Sequence, residues 1–309
     1  MLDLVVLTAF LEASVRLAAP LALAALGETI TERSGIINIG LEGSLVTGAL
    51  CAAFAALSWG SPGAGIIIGA LGGAFVALGF AAFVIGLNTD QIITGTAATL
   101  AGLGFTGVFY QARFGTTGTV LTLPVLQSFS LPGLSKIPVF GSAFFEQAPT
   151  VYLAYILAPL LWYFLFRTEW GLELRAVGEE PAAAEAAGVR IRWIRLLATV
   201  FGGLLAGVAG AHLALNSGTF IEGMSSGRGF IAIAVVVLGR WNPIWVVAAA
   251  FFFGAASALQ FLLQAMGVDT PFPLLLVLPY LLTLAALAGW VGRARPPAAL
   301  ALPWPHESK

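Results

Sequence analysis

The chain has 309 residues, of which 59% are hydrophobic and only 9% charged, whereas an ordinary soluble domain carries about 25% charged residues. So few charges cannot cover a soluble surface, and a formal net charge of −1 without clustered Lys and Arg leaves no footprint for a nucleic-acid partner. A single cysteine, Cys51, excludes an intrachain disulfide and a Cys-based zinc site.

Apolar runs recur along the whole length, each near the roughly 20 residues needed to cross a hydrocarbon core. The bilayer is therefore the solvent, and helices are the expected spanning element because each satisfies its own backbone polar groups. Runs such as I-A-I-A-V-V-V-L-G do not alternate as a transmembrane barrel strand would. The expectation is an all-α polytopic membrane protein, a single transmembrane domain over 1–309.

In chain order, the N-terminus lacks the basic region of a signal peptide and is interrupted by Asp3, Glu12 and Arg16, so it is expected to remain as a helix. Spans are read at 4–27, 36–58, 63–86, 91–112, 150–166, 193–215, 228–239, 244–264 and 274–291, nine within a range of eight to ten. In the first, Glu12 and Arg16 either form an i,i+4 ion pair or mark an interfacial helix. Gly65, Gly69 and Gly73 in the third span, and Gly203 and Gly207 in the sixth, are read as close helix-packing positions. The seventh span is short for a full crossing.

Lys and Arg set the orientation. With 167–195 inside, Arg33, Arg167, Arg175, Arg190, Arg192, Arg195, Arg240, Arg293, Arg295 and Lys309 also fall inside, and only Arg113, Lys136 and Arg228 outside. Residues 113–149, with Pro124, Pro132, Pro138 and Pro149, then form an external loop, either a partner-binding element or an ordered cap.

Ten charged residues fall within 167–195, which marks an exposed segment on the aqueous side. Inside it, G-E-E-P-A-A-A-E-A-A-G-V reads as a short helix. Glu179 and Glu180 lie at its positive end, Pro181 suits the first helical position, and Gly188 suits the residue past its end. So short a helix is not stable alone. It either packs on its own protein or docks into a groove on another.

The segment from Arg175, R-A-V-G-E-E-P-A-A-A-E-A-A-G-V, resembles the cytoplasmic coupling loop of permeases in the branched-chain amino acid, ribose and nucleoside group of ATP-binding-cassette (ABC) importers. Three more segments carry the resemblance: E-R-S-G-I-I-N-I-G-L-E-G from Glu32, N-T-D-Q-I-I-T-G-T-A from Asn88, and G-R-G-F-I-A-I-A-V-V-V-L-G-R-W-N-P from Gly227. The first of these and the compact length resemble the shorter permease of nucleoside-uptake systems. The resemblance implies an importer in a prokaryotic plasma membrane, with an ABC ATPase, a second homologous permease and an external substrate-binding lipoprotein as partners. It implies ATPase coupling through Gly178, Glu179, Glu180, Pro181, Ala184, Glu185, Ala187 and Gly188. Glu180 departs from the family, where Asn commonly precedes the proline.

The only lysines, Lys136 and Lys309, do not follow the glycine spacing of a P-loop, so this chain binds no ATP through a motif of its own. No cofactor is expected on the chain, and ATP with magnesium belongs to the partner ATPase. Gly102, Gly104 and Gly107 satisfy G-x-G-x-x-G but lie in an apolar span, where packing is the natural reading. Gly223 to Gly227 satisfies G-x-S-x-G around Ser225, with His212 upstream, but lacks the strand-to-helix setting of a hydrolase.

Polar groups at membrane depth are the solute-pathway candidates. Asn38 and Glu42, four apart, are expected on one face of the second helix, with a salt bridge or a packed carboxyl as the ordinary alternative for Glu42. Asn88, Gln91 and Asn216 near helix ends complete the candidate set, with capping or loop solvation as their alternative. His212, Gln260 and Gln264 add polarity. Nothing among these residues forms a nucleoside pocket, and that solute follows from the resemblance alone. The competing functions are a ribose or simple-sugar ABC permease, and an ion-coupled secondary transporter using Glu42.

Overall fold

The computed structural model describes residues 2–115, 121–267 and 295–304, together with residues 277, 281, 282, 284 and 285. The expected ninth span, 274–291, lies outside the described residues apart from isolated positions. The helices are α1 (Leu2–Arg33), α2 (Leu41–Trp59), α3 (Pro62–Ala81, continued by a π turn, Ala82–Gly86), α4 (Gln91–Phe114), α5 (Phe140–Phe145), α6 (Pro149–Arg167), α7 (Glu169–Glu179), α8 (Pro181–Ala186), α9 (Ile191–Ser217), α10 (Arg228–Leu238) and α11 (Pro243–Ala265). Four two-residue strands, β1 (Leu121–Thr122), β2 (Phe129–Ser130), β3 (Glu146–Gln147) and β4 (Thr219–Phe220), lie in connections.

Among the described residues, seven helices are long and apolar enough to cross a membrane. They correspond to the first six expected spans and the eighth. Two boundaries differ from expectation: α1 ends later than residue 27, and α2 starts at Leu41 rather than at residue 36. α1 does not stop at residue 27 but runs to Arg33, because Glu28, Thr29, Thr31 and Glu32 are buried against neighbouring helices rather than solvated in a loop. The seventh expected span is α10, whose 11 residues give about 16 Å, half a hydrocarbon core. Glu12 and Arg16 form no ion pair with each other among the described residues; Arg16 is exposed and Glu12 half-buried.

Small residues bring α2, α3 and α9 into backbone contact. A Cβ on Gly69 of α3 would lie 2.8 Å from the Gly48 carbonyl of α2 and 2.9 Å from Ala211 of α9. A Cβ on Gly48 would meet the Gly207 Cα at 2.5 Å. Without side chains in the way, dispersion contacts along the whole seam replace the hydrophobic drive that hydrocarbon does not supply. The expected packing role of Gly65, Gly69, Gly73, Gly203 and Gly207 is observed. Gly102 likewise packs on Gly43, whereas Gly104 meets nothing and Gly107 faces Glu222.

Residues 121–149 fold as an ordered cap over one end of the bundle. β1 pairs with β4, placing Leu121 opposite Phe220, and β2 pairs with β3, placing Phe129 opposite Gln147. The Leu126 amide bonds the Leu215 carbonyl near the end of α9 at 3.0 Å. The opposite end carries α7 and α8 and is termed the charged end below.

Pro20 inside α1 removes the hydrogen bond that would satisfy the Arg16 carbonyl one turn earlier. His212, 2% exposed on α9, supplies the replacement. Its Nδ1 is bonded to Thr150 Oγ1 of α6 at 2.6 Å, and the ring also bonds the Arg16 backbone. This satisfies a carbonyl that hydrocarbon would leave bare, and the imidazole staples three helices. We expect His212→Leu to destabilise the protein by about 1–3 kcal/mol, the cost of an unsatisfied buried group, and to cost clearly less in a Pro20→Ala background. Thermal unfolding in detergent across the double-mutant cycle measures this; equal costs in both backgrounds would contradict the staple.

Candidate functional site

The charged end is built from two short helices at an angle. Thr168 caps α7, its hydroxyl accepting from the Gly171 amide at 3.1 Å. The chain breaks at Glu180 (φ −143°, ψ 80°), and Pro181 starts α8 with a φ suited to the first helical turn. Gly188 follows α8 at φ +87°, the left-handed conformation its sequence position anticipates.

Two expectations for this segment require correction. Glu179 is the last residue of α7, not the start of the coupling helix. Its carboxylate faces Arg33 of α1 at 3.9 Å and accepts from the Ala298 amide at 3.2 Å. Ala184 is not on the free surface. It is 3% exposed and packs with Val177 and Ile191. A helix that packs on one face must present the other, and here the free face is Ala182, Ala183, Glu185, Ala186 and Ala187, continuing to Gly188. Both sequence alternatives, packing and docking, are thus open to one helix on opposite faces.

Beneath α8 the base is tied to the membrane helices through backbone contacts. Gly178 sits so close to the end of α1 that a Cβ would lie 2.9 Å from the Arg33 carbonyl carbon. The segment 295–304 laces the same region. Ala299 donates to the Gly178 carbonyl at 2.9 Å, and Ala301 to the Gly35 carbonyl at 3.1 Å. Arg195, 3% exposed, reaches from α9 to the Ser34 carbonyl at 3.2 Å and the Leu302 carbonyl at 3.3 Å. Its cation lies at the negative C-terminal end of α1, which favours it.

Past Arg33 the chain is non-helical until Leu41, and this break carries the polar core. Asn38 and Glu42 do not share a helix face, because α2 begins only at Leu41. The Asn38 amide donates to Glu28 Oε1 at 2.8 Å, and the Ile37 amide to Gln91 Oε1 at 2.8 Å. Thr99 Oγ1 holds the Ile39 carbonyl at 3.0 Å. Glu32 accepts from the Trp241 indole, and the Arg33 guanidinium bonds the Trp241 carbonyl at 3.1 Å. Glu42 reaches across to the half-helix α10. One oxygen accepts from the Gly227 amide at 2.8 Å, the other from the Gly229 amide at 2.5 Å. A carboxylate from α2 therefore caps α10, replacing the side chain its own N-terminus lacks.

Of the other pathway candidates, Gln91 is buried and serves the break as described, while Asp90 rather than Asn88 or Gln91 caps α4, accepting from Ile92 and Ile93 at 2.9 Å each. Asn88 is exposed at φ +53° in the turn before it. Asn216 is half-buried in the last turn of α9. The structure joins Asn38, Glu42 and Gln91 in one polar region and leaves Asn88 and Asn216 apart from it. His212 is held by Thr150 and the Arg16 backbone rather than by Ser225.

Sequence reading missed Glu28, Glu32, Trp241 and the tail 295–304. A signal for the first two existed. Glu28 and Glu32 are four apart and continue the periodicity of the first apolar run, so a helix ending at Arg33 buries both on one face. Asn38 side-chain atoms, Glu28 Oε2 and Glu32 Oε1 have no hydrogen-bond partner among the described residues.

A family model described as branched-chain amino acid transport system / permease component matches residues 10–287. The chain is 37% identical to the guanosine ABC transporter permease protein of Bacillus subtilis over 97% of each chain. It is 37% identical to a putative glucose ABC transporter permease protein of Haloferax volcanii over 90% of each chain. It is 36% identical to the nucleoside ABC transporter permease protein of Lactococcus lactis over 91% of each chain.

The backbone contact at Gly178 leads to a direct expectation. Gly178→Val forces a branched side chain into the Arg33 carbonyl and costs about 1–3 kcal/mol or more, the scale of overpacking. Gly188→Ala, with open space around it, costs only about 1 kcal/mol of left-handed strain. Thermal stability of the two variants in detergent separates them; equal losses would contradict the contact.

Proposed function

The chain belongs to the permease-component family of branched-chain amino acid transport systems, as a multi-pass protein of the prokaryotic plasma membrane, and from that premise we propose that it is the membrane subunit of an ABC importer for nucleosides. The observation that carries the nucleoside is the 37% identity over 97% of both chains to a guanosine permease. A nucleoside permease from a second organism supports it. A simple sugar is the second reading, favoured by the putative glucose permease at 37% over 90%.

In this proposal the charged end faces the cytoplasm and 121–149 caps the outside. The free face of α8 docks into an ATPase subunit that carries ATP and magnesium, a second permease pairs with this chain, and an external binding lipoprotein delivers solute. Nucleotide-driven motion of α8 reaches Gly178, and through the tail and Arg195 it reaches Ser34 and Gly35 at the break after α1. From there the polar core connects it to α10. Docking biases the two access states only if the ATPase binds them unequally. The unpaired atoms of Asn38, Glu28 and Glu32 are groups with hydrogen bonds to gain in a second arrangement.

An ion-coupled carrier needs a carboxylate that exchanges protons or cations. Glu42 is 3% exposed with both oxygens committed to backbone amides, which argues against that role.

The testing experiment is uptake of radiolabelled guanosine by proteoliposomes holding the complex captured with this chain. ATP-dependent uptake that excess glucose or ribose leaves intact supports the reading. Uptake blocked by glucose moves the solute to sugars, and gradient-driven uptake by this chain alone overturns the ABC assignment. The two faces of α8 give a further expectation. Ala183→Arg leaves the chain in the membrane at normal yield but abolishes ATPase capture, whereas Ala184→Arg lowers yield because it forces a charge into the Val177–Ile191 packing. Undiminished ATPase capture by Ala183→Arg contradicts docking through this face.

A further inference from the structure

Between β4 and α10 the chain leaves the cap and descends into the bundle as non-helical backbone, residues 221–227. Two neighbours fix its depth. Glu222 lies against Gly107 of α4, where a Cβ would meet its carboxylate, and it accepts a hydrogen bond from Gln111 Nε2 at 3.4 Å. Gly107 is about 10 Å below the capped end of α4 at Phe114, at about 1.5 Å per residue. The far end of the segment is deeper still. Gly227 and Gly229 bond Glu42, whose neighbour Gly43 packs on Ala98, Thr99 and Gly102 of α4. On the same helix scale that level is about 18–24 Å below Phe114.

Ile221, Glu222 and Ser226 are exposed at this depth, and Arg228 follows directly, its guanidinium bonded to the Met224 and Ser225 carbonyls at 2.9 and 3.2 Å. Irregular backbone with a carboxylate and a guanidinium is not tolerated against lipid tails; it occurs only where it is buried in protein or lines water. Among the described residues nothing buries Ile221, Glu222 or Ser226, although Ser225 beside them is buried. Glu42 already occupies the α10 N-terminus, so that helix end is not free to hold a solute, and the exposed polar side chains beside it include Glu222, Ser226 and, on α4, Gln111.

We infer that residues 221–227 and the adjoining face of α4 line the solute pathway, and that Glu222, with Gln111 beside it, is the contact for a vicinal diol, the ribose 2′- and 3′-hydroxyls of a nucleoside. A carboxylate accepts two neighbouring O–H groups at once, and charged acceptors make the stronger hydrogen bonds. Gly104, exposed and without a side chain, leaves α4 open about one turn further in, while Gly107 gives the room in which the Glu222 carboxylate lies. The identity of the solute rests on the nucleoside reading above; the exposure of the segment to water does not.

The test uses the assembled transporter in proteoliposomes, with Cys51→Ala as background. Glu222→Cys and, separately, Ser226→Cys are exposed to a charged, membrane-impermeant thiol reagent with and without guanosine. Labelling of both positions, slowed severalfold by guanosine at position 222, is expected. No labelling at either position overturns the inference, since the segment then faces lipid or a protein partner. Labelling that guanosine does not slow overturns the solute contact. Uptake kinetics supply a second readout. Glu222→Gln raises the guanosine concentration for half-maximal uptake about tenfold, the scale of one hydrogen bond to a charged group, and narrows the preference for guanosine over 2′,3′-dideoxyguanosine. A preference unchanged in the variant overturns the diol assignment. Should the unmodified transporter fail to take up guanosine at all, the nucleoside reading falls, and labelling of both cysteines still decides whether the segment lines water.

Discussion

Breaking a helix inside a bilayer leaves backbone amides that need new partners, and this chain has two such non-helical stretches, one running in from the charged end and one reaching the start of α10. The α1–α2 connection is unwound from Ser34 to Gly40, and α10 starts only after the non-helical segment 221–227. One side chain, Glu42, joins the two breaks, its oxygens taking the Gly227 and Gly229 amides. Each hydrogen bond to a charged group is worth about 1.5–3 kcal/mol, against a total stability of about 5–15 kcal/mol for a folded domain. The half-helix therefore depends on a residue from another element, and the two breaks are mechanically one unit.

The same logic runs outward to the charged end. The break after α1 is flanked by Arg33, Ser34 and Gly35, and each is tied to something outside the spans: Arg33 to Glu179 and Trp241, Ser34 to Arg195, Gly35 to Ala301. Most of these ties involve a backbone atom on at least one side, which makes them short and stiff compared with a pair of flexible side chains. At the other end of the bundle the glycine seam of α2, α3 and α9 and the His212 staple give a rigid frame. A stiff frame with a polar, doubly broken region between it and an exposed helix is an arrangement that allows displacement at α8 to be felt at membrane depth.

Much of this was legible in the residues. Span positions followed from apolar runs, the seam from glycines at four-residue spacing, and the short length of α10 from the run between Gly227 and Gly239. The exposed helix followed from Glu180-Pro181 and Gly188. What escaped was tertiary. Periodicity alone does not say that the first helix continues through Glu28 and Glu32, because those acids look solvated until Trp241 and Asn38 are brought to them by elements about 200 and 10 residues away. The inward turn of Ala184 was equally hidden, since a run of alanines has no polar face to mark which side is packed. Asn38 and Glu42 have helical spacing, yet Gly40 and the tight turn before Leu41 place them on different elements.

The account stands on Glu42 holding the start of α10, and amide hydrogen exchange in lipid nanodiscs reads that bond directly. Peptides covering 227–233 are predicted to be protected in the unaltered protein. In Glu42→Ala they are predicted to exchange faster, together with peptides across 36–41. Identical exchange of both segments in the two proteins would mean that Glu42 does not secure the half-helix, and the proposed link between the two breaks would have to be abandoned.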